Sequence, residues 1–338
     1  MKLLLTGGAG YIGSHVLLSC LEAGHDAIVL DDFSNSSREA LTRVEALTGR
    51  HFSLYEGDIR DATMLEQIFK DNKIDAVLHF AGLKAVGESV QKPLDYYDVN
   101  VGGSVTLAKA MAQAGVYRVV FSSTASVYGD QEKMPLTEEN VPGEAASPYA
   151  RTKRMVEQVF EDLCISDQRW SVAILRYFNP VGAHPSGQIG EDPLGEPANL
   201  APFAMQVAVG RRQSLAVFGD DYPTPDGTGV RDYIHVMDLA EGHLAAVNFL
   251  TKNSGFGVWN LGTGRGHSVL DVVRELENIT GKPLPKRIAS RRPGDTAQCW
   301  ADPSRAATDL GWKAKRGLSD MLTDHWRWQE QNPKGYNK

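Results

Sequence analysis

Three glycines at a fixed spacing, Gly7, Gly10 and Gly13, follow directly on the apolar run Lys2-Leu3-Leu4-Leu5 and open a helix-like segment over 11–23. A strand that leaves through such a turn brings helix and strand closer together than a Cβ allows. Gly7 suits the tight turn, Gly10 lets backbone amides approach a pyrophosphate, and Gly13 lets the helix pack on the strand. The helix N-terminus adds N–H donors and the positive end of a dipole. The spacing predicts a dinucleotide-binding βαβ unit. Asp31, at the end of a second strand over 26–30, supplies a carboxylate for ribose hydroxyls and repels a 2′-phosphate, which favours NAD over NADP. Arg38 lies several residues past that strand and reads as part of a solvated helix face.

Beyond this unit, apolar strand-like runs alternate with helix-like segments, with no fixed-period repeat. Strands are expected over 76–80, 118–122 and 171–177, and helices over 61–71, 93–114 and 149–164. Alternation of this kind predicts an α/β fold, a doubly wound parallel Rossmann sheet. After Tyr177 the texture changes to loops rich in Pro, Gly and Asn, over 179–202 and 219–229. We therefore expect a dinucleotide-binding domain over 1–178 and a smaller mixed α/β substrate domain over 179–338. A strand and helix within about 230–250 are expected to return to the first sheet.

The chain has 338 residues, 42% of them hydrophobic, enough for a large core. Its formal charge of −7 argues against nucleic acid or an anionic membrane as main partner and points to a small ligand. Cys20, Cys164 and Cys299 are few, scattered and odd in number, which fits a reducing compartment without a disulfide framework; they show no metal spacing. The N-terminus runs straight into the glycine turn, and no stretch has the length of a membrane span. A cytoplasmic protein is expected.

The chemistry is written in Tyr149-Ala150-Arg151-Thr152-Lys153 and in the hydroxyl-rich strand end Ser122-Ser123-Thr124. Tyr and Lys four residues apart share a helix face, so an ammonium can lie beneath the phenol and favour its ionised form. A free phenol ionises near pH ~10, and each unit of lowering needs about 1.4 kcal/mol of differential stabilisation. Lys153 and the positive nicotinamide of an oxidised cofactor are the two sources of it. Together with the glycine turn, these groups predict hydride chemistry on an alcohol.

The segments Thr6 to Gly13, Ser122 to Gly129 and Tyr149 to Lys153 resemble the extended short-chain dehydrogenase/reductase superfamily. Longer strings, Phe80 to Ser89, Leu175 to His184 and Gly227 to Val236, narrow the resemblance to the UDP-glucose 4-epimerase family, over essentially the whole chain. The resemblance implies NAD contacts from Tyr11, Ile12, Asp31, Asn35, Ser36, Asp58, Ile59, Phe80, Ala81, Gly82, Lys84, Asn100, Tyr149, Lys153 and Phe178. It implies that Tyr177, Asn179, Asn199, Leu200, Phe218, Arg231, Tyr233, Arg292 and Asp295 face a UDP-sugar, the two arginines clamping its pyrophosphate. Thr124, Tyr149 and Lys153 become the catalytic set, with Thr124 and Tyr149 on the sugar. Cys299 matches the position bordering the sugar C2 substituent, where a small residue leaves room for an N-acetyl group. Where the family often has consecutive asparagines, this chain reads Val99-Asn100, a departure that bears on a cofactor contact at position 99. The resemblance further implies a homodimer formed by the 93–114 and 149–164 helices. The activity it implies is 4-epimerisation of UDP-glucose and UDP-galactose through a transient 4-ketopyranose, with UDP-N-acetylglucosamine and UDP-N-acetylgalactosamine as a further pair.

Two other readings stand beside it. A sugar-nucleotide 4,6-dehydratase would share the oxidation, but such enzymes typically carry Asp-Glu after the active-site hydroxyl, where Ala125-Ser126 stand here. A non-enzymatic NAD-binding protein of the same fold would have no need of the Tyr, Lys and hydroxyl. His79 and His235 lie in apolar runs and read as core histidines, and Trp326 and Trp328 as packing for a terminal helix.

Overall fold

The computed structural model describes residues 1–336 apart from Glu144, Ala146, Pro293 and Gly294. Its strands are, in chain order, β1 Lys2–Thr6, β2 Asp26–Asp31, β3 Ser53–Glu56, β4 Ala76–His79, β5 Arg118–Thr124, β6 Ser171–Tyr177, β7 Asn179–Val181, β8 Leu215–Phe218, β9 Val230–His235, β10 Gly255–Leu261, β11 Gly266–Ser268, β12 Lys286–Ala289 and β13 Gln298–Cys299. Seven of them form one parallel sheet in the order β10-β6-β5-β4-β1-β2-β3. Helices cover both faces, so the central strands are apolar on both sides. In β1, Leu3 and Leu5 belong to the core on one face and Leu4 to the core on the other, all fully buried. Each such leucine contributes on the order of 1.5–3 kcal/mol.

One face carries the helices Tyr11–Glu22, Arg38–Thr48 and Val236–Leu250; the other carries Ala62–Asp71, Gly103–Gln113 and Pro148–Ser166. Side chains fix several helix starts: Asp61 accepts from the Met64 amide, and Ser147 accepts from Ala150 with Pro148 in the first turn. The expected 93–114 helix runs as Pro93–Tyr96, a π-helical turn Tyr97–Gly102, and Gly103–Gln113. Such turns recur at functional sites. Here it carries Asn100, whose amide bonds Leu83 and Thr152.

The smaller mixed unit has a four-stranded sheet, in which β9 pairs with β11, β13 and β7, and a two-stranded ribbon of β8 and β12. The helices Leu200–Ala208, Val269–Thr280 and Leu318–Gln331 pack around it, with Met205, Leu276 and Leu322 in their common core. The return to the large sheet differs from expectation. The helix Val236–Leu250 does pack on Tyr11–Glu22, but the strand before it, β9, stays in the small sheet. The seventh strand is β10, beyond the 230–250 stretch. It pairs in parallel with β6 from Gly255 to Leu261, at the open edge of the sheet, after the helix has crossed the face that also carries Tyr11–Glu22. Nine of the twelve residues of Tyr11–Glu22 are buried, between the sheet, Arg38–Thr48 and that helix.

His15, His79, His243 and His325 are fully enclosed, and burial lowers each far below the ordinary histidine range, His243 to about 4 and the others to about 3. Folded protein keeps them neutral where unfolded chain takes up protons, so stability is complete above about pH 6.5 and falls as pH drops below it. With four such groups the slope approaches on the order of 5 kcal/mol per pH unit between about pH 6 and 5. Urea denaturation at steps from pH 7.5 to 5 should show a steep fall of the midpoint below 6.5. A flat midpoint would mean that the rings are solvated.

Candidate active site

Loops at the C-terminal ends of β1, β2 and β4 meet at the glycine turn, where open α/β sheets bind their ligands. Gly7 has φ +72°, and its amide donates to Leu30 O at 2.7 Å. A Cβ on Gly7 would lie 2.7 Å from the Ala81 amide nitrogen, and one on Gly13 only 2.2 Å from Gly7 O. Gly10, the residue before the helix, offers no side-chain cap, so the first-turn amides of Tyr11, Ile12 and Gly13 remain open to an anion. Asp31 tightens this cradle: its carboxylate accepts from Ala9 at 2.8 Å, Phe33 at 3.0 Å and the Ser36 hydroxyl at 2.7 Å. Arg38 forms an ion pair with Glu56.

Other proposed cofactor contacts ring the same turn. Phe80 and Ala81 both donate their amides to Thr6 O, and Gly82 approaches the Asn100 amide so closely that a Cβ would lie 2.9 Å from its oxygen. Asp58 is held below the usual carboxylate range by Arg60, and buried Ile59 packs beneath Gly103. Asn35 accepts from the Leu194 amide at 3.2 Å, tying this side to the 179–202 loop. Lys84 lies 3.4 Å from Glu191, a buried carboxylate with one unpartnered oxygen.

The groups expected to react lie near the ends of β5 and β6, where Thr124 is the register partner of Tyr177. Thr124 caps the short turn Ala125–Tyr128 by accepting from the Ser126 amide at 3.1 Å. Pro148–Ser166 presents Tyr149 and buried Lys153 beside it. Burial pushes the Tyr149 phenol up to about 12, against a Thr124 hydrogen bond that lowers it. This corrects the expectation that Lys153 depresses the phenol. The ammonium instead donates to Ser122 O at 2.9 Å and lies 4.8 Å above the Phe121 ring, and burial brings Lys153 itself down to about 8. A lowered phenol then depends on the positive nicotinamide, the other source of charge. Tyr177 bonds His243 through its hydroxyl, and Phe80 packs on the same imidazole at 5.0 Å.

The residues assigned to the UDP-sugar fall into two groups. Phe218 and Arg292 stack at 4.7 Å, with Asp295 paired to Arg292 at 3.0 Å. In the other group Arg231, on β9, is the register partner of Cys299 on β13, and its guanidinium donates to Val230 O and Thr296 O at 2.8 Å each. Cys299 also packs on the cluster of Val127, Tyr128, Leu136, Phe178 and Ala301, so it stands between Arg231 and the end of β5. Asn179 opposes Tyr233 at the start of β7, and Asn199 precedes the helix that Leu200 opens. His79 bonds Thr6 and Ser104, and His235 bonds Asp324 and the Met237 amide; both are satisfied core groups.

The chain matches the NAD dependent epimerase/dehydratase family over residues 3–262. The chain belongs to that family. NAD is accordingly its cofactor, and the uncapped helix start, the two crowded glycines and Asp31 fit a dinucleotide. It is 57% identical over 337 residues to the UDP-glucose 4-epimerase of Yersinia enterocolitica, spanning 100% of both chains, and 55% identical to that of Bacillus subtilis, spanning 99% of both. Among solved structures, the UDP-glucose 4-epimerase of Bifidobacterium longum in complex with NAD+ and UDP superposes with a TM-score of 0.97. It is 50% identical, with 99% of this chain and 100% of that one covered. For this member of the family, sequence reasoning passed over the polar groups behind the reactive pair, Glu157, Arg176 and His243. A glutamate one turn after Lys153 on the covered face of a helix was the available signal.

Proposed function

We propose that the chain is an isomerase that interconverts UDP-glucose and UDP-galactose at C4 through a transient 4-ketopyranose. The observation that carries this reading is the convergence of Thr124, Tyr149 and Lys153 beside the dinucleotide turn, in a chain full-length alike to UDP-glucose 4-epimerases. In this reading the first unit holds NAD and the second the UDP portion. The chemistry that NAD supplies when bound is reversible hydride acceptance. Tyr149 takes the proton of the C4 hydroxyl and later returns it, and Thr124 hydrogen-bonds the same oxygen. Lys153 orients the nicotinamide ribose, and the nicotinamide supplies the positive charge near the phenol. Arg231 and Arg292 grip the pyrophosphate with forked donors, which leaves the sugar free to turn over and present its other face. Dehydration is disfavoured, because Ala125 and Ser126 supply no acid and base beyond the Thr124 hydroxyl.

The reading extends to N-acetylated sugars through Cys299, a small side chain between Arg231 and Phe178. It extends to a homodimer through an apolar face: Val90 is 63% exposed, Leu94 80% and Met155 41%, on helices that pack together. Three unpaired cysteines suit a cytoplasmic setting, which cell fractionation checks. No helix among the described residues is long and apolar enough to cross a membrane.

Tyr149→Phe keeps the ring and removes the proton acceptor, so turnover should drop by about 10² to 10⁴-fold with the melting temperature unchanged. Near-normal turnover would assign the proton to another group. Cys299→Tyr should abolish interconversion of the N-acetylated pair and spare the non-acetylated pair, because added ring volume displaces the larger substituent. Equal losses on both pairs, followed by chromatography of the nucleotide sugars, would remove position 299 from specificity. Light scattering should give twice the 36.9 kDa chain mass, and Leu94→Asp should give the single mass; a wild-type monomer overturns the dimer.

A further inference from the structure

Behind Lys153 lies an ion pair that neither the cofactor nor the sugar touches in the reading above. Glu157, one helical turn further along Pro148–Ser166, accepts from the Ser123 hydroxyl at 2.5 Å. Arg176, on β6, donates Nε to the same carboxylate oxygen at 3.1 Å and Nη2 to the other at 2.6 Å. The two side chains are 7% and 6% exposed, and the guanidinium lies 4.7 Å over the Tyr128 ring with Nη1 unpartnered. Buried pairs of this kind are often replaceable by apolar side chains without loss of stability, so folding alone gives little reason for one here. Residues four apart share a helix face, and the two heads are held by consecutive residues of β5, the ammonium by Ser122 O and the carboxylate by the Ser123 hydroxyl, so the charges lie close without touching.

We propose that Glu157 is a positioning residue for Lys153: its buried carboxylate, fixed by Ser123 and Arg176, keeps the neighbouring ammonium charged in a pocket that otherwise favours the neutral amine. The proposal rests on the reading of Lys153 as part of the reactive set. Burial brings Lys153 down to about 8, and Glu157 is the group that acts against it. Other ionisable groups around this end of the helix do not supply that charge. His79, from β4, is lowered to about 3 by burial and so is neutral at working pH; Tyr149 from the same helix, Tyr177 from β6 and Tyr96 from Pro93–Tyr96 are phenols held above their ordinary value, with Glu88 engaged by Lys92 and Tyr96. Arg176 opposes Glu157, so the two members of the pair pull on Lys153 with opposite sign.

That opposition separates an electrostatic role from a structural one. In the holoenzyme carrying 13C,15N-labelled lysine, with the Lys153 resonance assigned by its loss in Lys153→Met, Glu157→Gln should move the Lys153 titration down by roughly one pH unit. The alkaline limb of kcat/KM should follow it. Arg176→Gln, which leaves the carboxylate unopposed, should move both upward, and Glu157→Asp should hold both near wild type. Shifts of the same sign in Glu157→Gln and Arg176→Gln, or a lowered melting temperature with an unmoved titration, overturn the proposal. If Glu157→Gln does not fold, Arg176→Gln and the wild-type titration still decide it: an amine neutral at pH 7 in the wild type sinks it. Because the resonance reports charge directly, a failure here is distinct from a failure of the epimerase reading, which Tyr149→Phe tests.

Discussion

The contact between Gly13 and the carbonyl of Gly7 governs how the rest of the protein is arranged. With no Cβ at position 13, the helix Tyr11–Glu22 sinks onto the turn after β1; any side chain would meet Gly7 O at 2.2 Å. Gly7 in turn lets the turn lie against Ala81 at the end of β4. These approaches aim the open helix start at the groove between β1 and β4 and align it with Asp31 at the end of β2. They also bury the helix deeply enough for Val236–Leu250 to pack along its flank on the same face of the sheet, next to β5 and β6, ahead of β10.

The electrostatics of the reactive pair follow from the same depth. A phenol and an ammonium enclosed together are both pushed towards their neutral forms, Tyr149 upward and Lys153 downward. The protein's polar groups meet this unequally: Thr124 assists the phenol, and Glu157 assists the ammonium. In the proposed reading, a base that is mostly protonated without a positive cofactor beside it ties proton removal to the presence of a hydride acceptor. The coupling comes from burial and requires no moving part.

Much of this was legible in the chain. The glycine spacing, the apolar runs and the Tyr-Lys pair located β1, β6 and the reactive helix, because each has a strong local signature. The edge strand β3 was missed for the opposite reason: Ser53, Leu54 and Glu56 are exposed, and no alternation survives there. β10 was missed because Gly255 and Gly257 break its pattern, while the more regular β9 drew the assignment although it belongs to the small sheet. At the site, residue types were readable but directions were not. Nothing in the spacing of Tyr149 and Lys153 says that Ser122 O and the Phe121 ring claim the ammonium, or that the carboxylate serving it comes from Glu157.

An epimerase must let its sugar rotate between two half-reactions while everything around it stays in register, and the way the two units are joined meets that requirement. Asp232, buried in β9, receives the amides of Thr263 and Gly264 just after β10 and of Ala301 just after β13. Leu136 donates its amide to Trp300 O and accepts from the Asp302 amide across the same junction. A buried carboxylate with this many donors cannot release one unit from the other without exposing an unpaired charge. Rocking of the two units is therefore a costly way to present the second face of a ketone. In the proposed reading, rotation of the sugar itself, between a pyrophosphate clamp on one side and Thr124 and Tyr149 on the other, asks for no such break.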